Sequence, residues 1–352
     1  MSKRRLCIGV DIGASSIKLC QLEQRGDSFA LLKLAQLALP PETIVDGAVL
    51  SASRVVDGLR ALFRQERIRH KQVAVSVSGH SVIIKKLSLP QMPREELESS
   101  VALEAEELLP FDVRDVYFDV QELPAEPGEA TGRMNVLFVA AKKDYVHEYT
   151  SVLAEAGLMP TVCDVDPLAI ETAFLSGRPT PPTETVALVH VGAAKTVLNI
   201  LAGGQTGLTR ELTVGGNTFT EGLQRALKIS FEQAERYKLG HGREAAAADA
   251  EHKATASLLE TTDLLADELQ ASFDIFAASD ARGAPQGVVL SGGSSRMPGL
   301  EQRLRERLAV PIELFDPFAQ LGGTAVPADA RARMRHVAAV AVGLAMRWPG
   351  DC

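Results

Sequence analysis

The chain has 352 residues, of which 46% are hydrophobic and 23% charged, a composition typical of a globular protein with room for two domains. Its formal net charge of −8 argues against non-specific binding to nucleic acid or to a membrane surface, because the field of the whole molecule repels phosphate groups. The four cysteines have no metal-ligand spacing, which favours a reduced, cytoplasmic protein without structural disulfides.

A β-hairpin is the first predicted element. Residues 6–13 and 15–23 are apolar, β-branched runs that flank a turn of small residues. Basic residues precede the first run, as in a secretion signal, but Asp11 interrupts it and no cleavage site follows. A helix is predicted at 51–67 and a strand at 72–79.

A compact inserted unit is predicted at 80–157, from a β-α-β-β-α order of elements. Its first helix, at 93–110, lies between two prolines and carries six glutamates beside an apolar stripe. Strands near 116–122 and 135–141 flank a predicted loop, and a helix at 143–156 ends the unit.

The second half of the chain opens like the first. After a proline-rich boundary segment, "TVALVHVGAAKTVLNIL" aligns on its turn with the earlier "LCIGVDIGASSIKLCQL". His190 stands where the first copy has Asp11. The helix that begins after Ser230 has capping-box spacing, and further helices are predicted at 259–278 and 331–348.

These elements divide the chain into two lobes, with an insertion in the first. We predict a first-lobe core at 1–79, an inserted subdomain at 80–157, a return to the first lobe with a connecting helix at 158–182, a second-lobe core at 183–225, a helical subdomain at 226–284, more second-lobe core at 285–330, and a C-terminal helix at 331–352 that packs on the first lobe. The Ala-rich stretch 244–257 is predicted to be an exposed helical extension.

Both hairpin turns have the residue types of a phosphate cradle, since backbone N–H groups bind anions and small residues allow close approach. Asp11 can hold a hydrated Mg²⁺, and Lys18 can reach a β- or γ-phosphate. One such hairpin is more often an ordinary turn, but its repetition favours two phosphate loops facing one cleft. The predicted loop residues are Gly13, Ala14, Ser15 and Ser16 in the first turn and Gly192, Ala193, Ala194, Lys195 and Thr196 in the second.

A third element, "GVVLSGGSSRMPGL", has a buried-type strand, a Gly-Gly turn and a helix start. Its glycines allow the backbone to lie against a base or ribose. Glu235 and Lys238 share one helix face and suit ribose hydroxyls, although a solvated ion pair is the more common meaning of such spacing. The predicted nucleoside contacts from the turn are Gly292, Gly293, Ser294 and Met297.

Together these elements resemble the actin-like ATPase superfamily. "GVDIGASSIK" and "LVHVGAAKT" resemble its two phosphate loops, "DVDPLAIETAF" its connecting segment and "LSGGSSRMPGL" its adenosine loop. Among its families, "LPFDVRDVYFDVQEL" and "LAEAGLMPTVCDVDPLAIETAF" resemble the PilM family of type IV pilus assembly proteins. The resemblance implies an α/β fold of two actin-like (ribonuclease H-like) lobes around a nucleotide cleft, with an FtsA-type inserted subdomain in the first lobe and with ATP and Mg²⁺ as ligands.

The resemblance also implies a partner. PilM-like proteins bind the short cytoplasmic N-terminal peptide of PilN, a single-span membrane protein, in a groove beside the inserted subdomain. The chain would then be cytoplasmic and peripheral to the inner membrane, reaching the membrane and other pilus assembly proteins only through partners. For the groove we predict the strand at 82–89 and the segment 104–111, with the contact residues Ile84, Leu87, Leu108, Leu109 and Phe111.

Two departures from the superfamily pattern concern hydrolysis. The second phosphate loop usually begins with an acid where this chain has His190, and a neutral imidazole cannot help to hold Mg²⁺ or orient the attacking water. Asp166 replaces the usual glutamate of the connecting segment and is shorter by one methylene. Asp11 and Asp166 remain the catalytic candidates, and we expect nucleotide binding with slow or absent hydrolysis.

Other functions of the same fold remain open. An FtsA-like cell-division ATPase is one alternative, and a small-molecule kinase is another, although we find no recognisable sugar-binding stretch followed by a general base. The helix at 331–348 has the Ala-Val spacing of a packed helix, which favours the pilus protein over an FtsA-type membrane anchor. The sequence does not distinguish a monomer from a homo-oligomer.

Overall fold

The computed structural model of the chain describes residues 5–124, 132–178, 181, 183–241 and 248–350, without the side chains at 103, 105, 107 and 108. The loop predicted at 124–132 and the first part of the Ala-rich stretch lie largely outside these ranges. Among the described helices, none is both long enough and apolar enough to cross a membrane.

The first half of the chain alternates strands with single helices. The apolar stripe of its first helix, which includes Val55, Leu59 and Leu62, is buried as predicted. In chain order the elements are β1 (Arg5–Ile12), β2 (Ser16–Arg25), β3 (Ser28–Ala38), β4 (Ile44–Val45), β5 (Ala48–Val49), α1 (Ala52–Gln65), β6 (Gln72–Val77), β7 (Val82–Pro90), α2 (Arg94–Leu108), β8 (Val116–Glu122), β9 (Arg133–Lys142), α3 (Lys143–Glu155), β10 (Met159–Val165) and α4 (Asp166–Leu175).

The second half repeats the hairpin and adds longer helices. Ser230 and Gln233 form the predicted capping box. The elements are β11 (Thr185–Val191), β12 (Thr196–Ala202), β13 (Gln205–Leu212), α5 (Gly216–Leu227), α6 (Phe231–Lys238), α7 (Ala248–Ser279), β14 (Gly287–Ser291), α8 (Leu300–Leu308), β15 (Ile312–Leu314), β16 (Gly323–Thr324), α9 (Ala328–Met334) and α10 (Ala339–Leu344). Helix α7 joins the predicted helix at 259–278 to the described part of the predicted Ala-rich helical extension, because no glycine or proline interrupts the sequence between them.

The two main sheets have the same topology. The first has the order β10-β6-β1-β2-β3-β16 and the second the order β13-β12-β11-β14-β15. In both, an antiparallel hairpin (β1-β2 or β11-β12) continues into a third antiparallel strand, while two parallel strands extend the other side. The repeat seen in the sequence is therefore a repeat of a whole sheet, and the two turns are equivalent positions.

Helices α4 and α10 pack between the two sheets. Side chains of both helices share one buried cluster with residues of β6, β11, β12 and β14. The backbones of α4 and α10 touch closely at Gly343, where an added Cβ would lie 1.7 Å from the carbonyl oxygen of Ala169. Helix α10 also lies against β1, at Gly9. The lobes are thus joined by a close-packed pair of helices rather than by a loose linker.

The inserted unit forms a separate three-stranded antiparallel sheet of order β7-β9-β8, covered by α2. Its final helix, α3, packs elsewhere. Tyr149, Val152 and Leu153 of α3 belong to the core of the six-stranded sheet, against α1. The predicted unit at 80–157 therefore shares its last helix with the first-lobe core.

The C-terminal region differs from the prediction in two ways. The predicted single helix is two helices, α9 and α10, because the carbonyl of His336 accepts a 2.7 Å hydrogen bond from the amide of Gly292 instead of continuing a helix. The chain also returns to the first lobe before residue 331. Strand β16, at Gly323 and Thr324, already pairs with β3 of the first sheet, and Phe318 packs in the same lobe.

Candidate functional site

The cleft between the lobes contains two adjoining cavities. The inner cavity, of about 590 Å³, is lined by Asp11, Asp166 and Lys195 among others. The outer cavity, of about 1150 Å³, is lined by Glu235 and Met297 among others. The residues that line both are Ala14, Ser15, Lys18, Ile44, Asp46, His190, Gly192, Ala193, Ala194 and Thr213. The two predicted phosphate loops thus face each other where the cavities meet.

Both turns are closed in the same way. The amide of Gly13 donates to the carbonyl of Ser16 at 3.1 Å, and the amide of Gly192 donates to the carbonyl of Lys195 at 2.9 Å. The second turn is also held by the start of α5, where the amide of Gly216 donates to the Gly192 carbonyl at 2.9 Å. These bonds fix the loops as preformed backbone surfaces of small residues, which is what close approach by an anion requires.

Charged groups of the first lobe lie at the inner cavity. Lys18 Nζ lies 3.1 Å from Asp11 Oδ2, across the hairpin that places the two residues opposite each other. Burial raises the pKa of the Asp11 carboxyl above its ordinary value, Lys18 opposes this, and the nearby Asp166 adds to it. Ser76 Oγ donates to Asp166 Oδ1 at 2.5 Å, which orients that carboxylate at the start of α4.

His190 lies at the corresponding position of the second lobe. Its Nδ1 is 2.9 Å from Ser291 Oγ on the neighbouring strand β14. Burial lowers the pKa of His190 to about 4, helped by the positive charge of Lys18 and opposed by Asp166. The imidazole is therefore neutral at physiological pH and adds no negative charge to the cleft. Among the residues that the structure describes, no group of three or more His, Cys, Asp or Glu side chains could hold a metal ion.

At the outer cavity, the helix pair predicted for ribose has two different roles. Lys238 is buried, and its Nζ donates to the Gly216 carbonyl at 3.0 Å and to Thr220 Oγ1 at 2.9 Å while lying 2.6 Å from Glu235 Oε2. Lys238 thus ties α6 to the start of α5, and the Gly216 amide of α5 in turn holds the second turn. The Glu235 side chain is more exposed, at 38%, and it is the member of the pair that a ligand can reach.

Most predicted cleft residues line one of the two cavities, but Thr196 and Gly292 do not. Thr196 is buried and its hydroxyl donates to the Val214 carbonyl at 2.6 Å. Gly292 has a φ of +93°, and a Cβ there would lie 2.3 Å from the carbonyl oxygen of Val191. Both residues support the turns on the side away from the two cavities, where they would not contact a ligand.

Several residues of the inner cavity were missed by the sequence analysis. They follow β6, form the turn between β4 and β5, or lie at the end of β13 and on α3. The residues after β6 could have been predicted from the sequence as cleft residues, because ligands bind beyond the carboxyl ends of parallel strands. The missed residues at these positions are Asp46, Gly47, Ser78, Gly79, His80, Tyr149, Glu211, Leu212 and Thr213.

Among the side chains that the structure describes, those predicted for a peptide groove do not form one pocket. Leu87, Leu109 and Phe111 belong to the core of the inserted subdomain, with Leu109 only 8% exposed. Ile84 lies on the opposite face of β7 and packs with the first-lobe core, as the alternation of side chains along a strand requires. The side chain of Leu108 lies outside the described residues. The edge of β7 beyond β9 lies beside β13 of the second lobe.

The duplicated sheets, the helices packed between them and the facing hairpin turns define an actin-like architecture of two α/β lobes around a cleft. Residues 9–348 match the family described as type IV pilus assembly protein PilM. The chain belongs to this PilM family and is an actin-like protein of type IV pilus assembly.

Solved structures agree with this assignment. The chain is 28% identical, with a TM-score of 0.85, to a chain in the structure of a PilM–PilN type IV pilus biogenesis complex, over 99% of this chain and 100% of that one. The ethanolamine utilization protein EutJ from Carboxydothermus hydrogenoformans is 16% identical with a TM-score of 0.58, over 97% and 89% of the two chains. MreB5 of Spiroplasma citri bound to ADP is 12% identical with a TM-score of 0.51, over 96% and 94%. The last two show the fold alone.

The cell division protein FtsA is a more distant relative. FtsA of Bacillus subtilis (strain 168) is 24% identical over 355 residues, which cover 90% of this chain and 80% of FtsA. FtsA of Enterococcus hirae is 23% identical, covering 90% of this chain and 79% of FtsA.

Proposed function

We propose that this PilM-family protein binds ATP with Mg²⁺ between its lobes and uses the bound nucleotide to hold or switch their relative position. The observation that carries the proposal is the meeting of the two equivalent hairpin turns at the junction of the inner and outer cavities. A ligand that touches both turns stabilises the closed arrangement by its differential affinity for it.

The residues present fit a nucleotide. Small residues form both turns, and a Cβ on Gly13 would lie 2.8 Å from Lys18 Nζ, so a larger residue would displace the lysine from the cleft. Lys18 lines both cavities and can meet a phosphate as a point charge. Glu235 and Met297 line the outer cavity, where the nucleoside would lie.

The residues also fit a hydrated Mg²⁺, for which one carboxylate plus phosphate oxygens is a usual ligand set. Asp11 is that carboxylate, and Lys18 competes for it at 3.1 Å. When bound, the ion would neutralise charge between the phosphates. Because His190 is neutral and Asp166 is short, we propose that hydrolysis is slow or absent.

The proposed partner is the N-terminal cytoplasmic peptide of PilN. A chain of a PilM–PilN complex is similar to this one over nearly its whole length, which supports PilN as the partner. We place the peptide at the inserted subdomain, where Leu87 and Phe111 are half-buried and the glutamates Glu104 and Glu106 are exposed. The acidic side chains would attract a basic residue of the peptide. The protein would then be cytoplasmic, and peripheral to the inner membrane through PilN.

A two-ligand experiment tests the proposal. Nucleotide released by heat from the purified protein is identified by chromatography, and the protein is then titrated calorimetrically with a non-hydrolysable ATP analogue and with a synthetic PilN N-terminal peptide. We expect binding heat and a thermal shift with each. The absence of both effects with both ligands would remove the proposed function.

A further inference from the structure

The inner and outer cavities are lined by different charged residues, and this difference indicates which part of a nucleotide each residue would meet. Glu235, Ser294 and Met297 line the outer cavity and not the inner one, whereas Asp166 and Lys195 line the inner cavity and not the outer one. The two turns lie where the cavities meet. A nucleotide whose base and ribose occupy the outer cavity therefore crosses the turns with its first phosphates and points its terminal phosphate at the inner cavity.

Lys195 is the positively charged residue of the second turn, and it lies at the inner cavity. Its Nζ lies 2.8 Å from Glu211 Oε1, and the two side chains are 24% and 30% exposed, so the pair is accessible from the cavity. Lys195 also approaches the first lobe, since a Cβ on Gly79 would lie 3.6 Å from its Nζ. An ammonium in this position, on a flexible stem, can exchange one anionic partner for another without a backbone movement.

Glu211 connects this end of the cleft to the inserted subdomain. It lines the inner cavity and also a smaller cavity of about 230 Å³, whose lining includes Gly79, Ile83 and Ile84. Strand β13, which carries Glu211, lies beside β7, the edge strand of the inserted sheet. A change in the charges around Glu211 therefore affects both the inner cavity and the contact between the second lobe and β7.

We propose that Lys195 distinguishes a nucleoside triphosphate from a diphosphate by leaving Glu211 for the terminal phosphate. The inference rests on the proposed nucleotide binding and adds to it the residue that reads the third phosphate. A terminal phosphate carries more negative charge than one carboxylate and therefore competes for the ammonium. Glu211 then loses its ion-pair partner next to β7, so the identity of the nucleotide alters the contact between the second lobe and the inserted sheet.

The test compares two ligands on four proteins. The wild-type chain, Lys195→Met, Glu211→Gln and a control, Lys253→Met, are titrated calorimetrically with ADP and with a non-hydrolysable ATP analogue at constant Mg²⁺. Lys253 is a suitable control because its ion pair with Asp249 lies on the exposed side of α7. Circular dichroism melting checks that each variant is folded.

We expect Lys195→Met to weaken the triphosphate analogue about tenfold, the effect of losing one charged hydrogen bond, and to change the affinity for ADP less than about twofold. Glu211→Gln should strengthen binding of the analogue severalfold, because Lys195 then gives up no ion pair, while ADP is unaffected. Lys253→Met should match the wild type with both ligands. Equal losses for ADP and the analogue in Lys195→Met, or no loss for either, would overturn the inference while leaving nucleotide binding intact. A wild-type chain that binds neither ADP nor the analogue would overturn the proposed nucleotide binding together with this inference.

Hydrogen exchange provides the second readout. In the wild type, the backbone amides of residues 82–89 on β7 should exchange at different rates with the analogue and with ADP bound, and this difference should disappear in Glu211→Gln. Equal rates with both ligands in the wild type would overturn the link between Lys195 and the inserted sheet.

Discussion

His190 and Ser291 lie side by side on the parallel strands β11 and β14, with Nδ1 and Oγ 2.9 Å apart. In the first lobe the equivalent strands carry Asp11 and, one residue beyond the last paired position, Ser76. There the serine hydroxyl donates to Asp166 instead. The two lobes thus place a serine beside the cleft residue at the same point of the same topology, but one cleft residue carries a carboxyl group and the other an imidazole ring.

Restoring the acid in the second lobe should raise hydrolysis. We predict that His190→Asp increases the rate of ATP turnover about tenfold, less than the ~10²–10⁴-fold that a well-placed acid–base group contributes, because Asp166 remains short. The measurement is steady-state phosphate release at saturating ATP and Mg²⁺.

The control for that variant is His190→Asn, which removes the imidazole without adding charge and should leave turnover unchanged. Phosphate release that does not rise in His190→Asp, with nucleotide affinity retained, would show that the histidine does not limit the rate.

Acidification should destabilise the protein through the same residue. The pKa of His190 is lowered to about 4 in the folded state, whereas in the unfolded chain it is about 6.5. Below about pH 6.5 the unfolded state therefore binds a proton that the folded state does not bind. The free energy of unfolding consequently falls as the pH drops towards 4. The loss is at most about 3 kcal/mol.

Urea unfolding at pH 7, 5.5 and 4.5 measures this loss. Burial raises the pKa of Asp11 and Glu171, and these groups act in the opposite direction, so the wild type is compared with His190→Asn. The variant should lose less stability than the wild type between pH 7 and 4.5. Identical losses in the two proteins would show that His190 does not titrate in this range.

The helix pair between the lobes gives a prediction about stability. An added methyl at Gly343 would lie 1.7 Å from the Ala169 carbonyl oxygen, which only a separation of α4 and α10 could relieve. We expect Gly343→Ala to reduce the free energy of unfolding by about 3 kcal/mol or more, at the upper end of overpacking effects. Gly287→Ala is the matched control, because its Cβ would meet the Pro311 carbonyl at 3.5 Å, an ordinary contact. Equal unfolding midpoints for the two variants would contradict the close packing.

The duplication could be predicted from the sequence because it depends on local signals. The small-residue turns after Asp11 and His190 lie between apolar runs of the same length, and strand pairing in a hairpin follows from the turn. The cap at Ser230 is equally local. The two turns could be assigned to facing sides of one cleft for the same reason, since each joins two strands of predictable type.

The remaining features depend on contacts between distant parts of the chain. Nothing near Lys195 in the sequence indicates that Glu211 is its partner, because that contact depends on the register of β12 and β13. The break between α9 and α10 occurs because the Gly292 amide takes the His336 carbonyl, although the local pattern is that of one helix. Strand β16 has two residues and is too short to show the alternation of apolar and polar residues by which a strand is predicted.

The peptide site gives the last prediction, and the structure alters how it should be tested. Replacing both Leu109 and Phe111 by serine is a poor test of the proposed peptide site, because Leu109 is a core residue and losing a buried leucine typically costs about 2–5 kcal/mol. Phe111 is half-buried, and Lys142 Nζ lies 4.5 Å from the centre of its ring. We therefore predict that Phe111→Ser alone weakens binding of the PilN peptide about tenfold, as expected for an aromatic anchor, and leaves affinity for the ATP analogue unchanged.

Tyr117→Ser is the control for this variant, because Tyr117 is an aromatic residue of the same subdomain that is 48% exposed and lies on β8, the far edge of the sheet from β7. It should bind the peptide like the wild type. Calorimetric titration with peptide and with ATP analogue measures both affinities. Unchanged peptide affinity in Phe111→Ser would place the peptide elsewhere on the inserted subdomain, whereas simultaneous loss of peptide and nucleotide would mean that the substitution disrupts the fold.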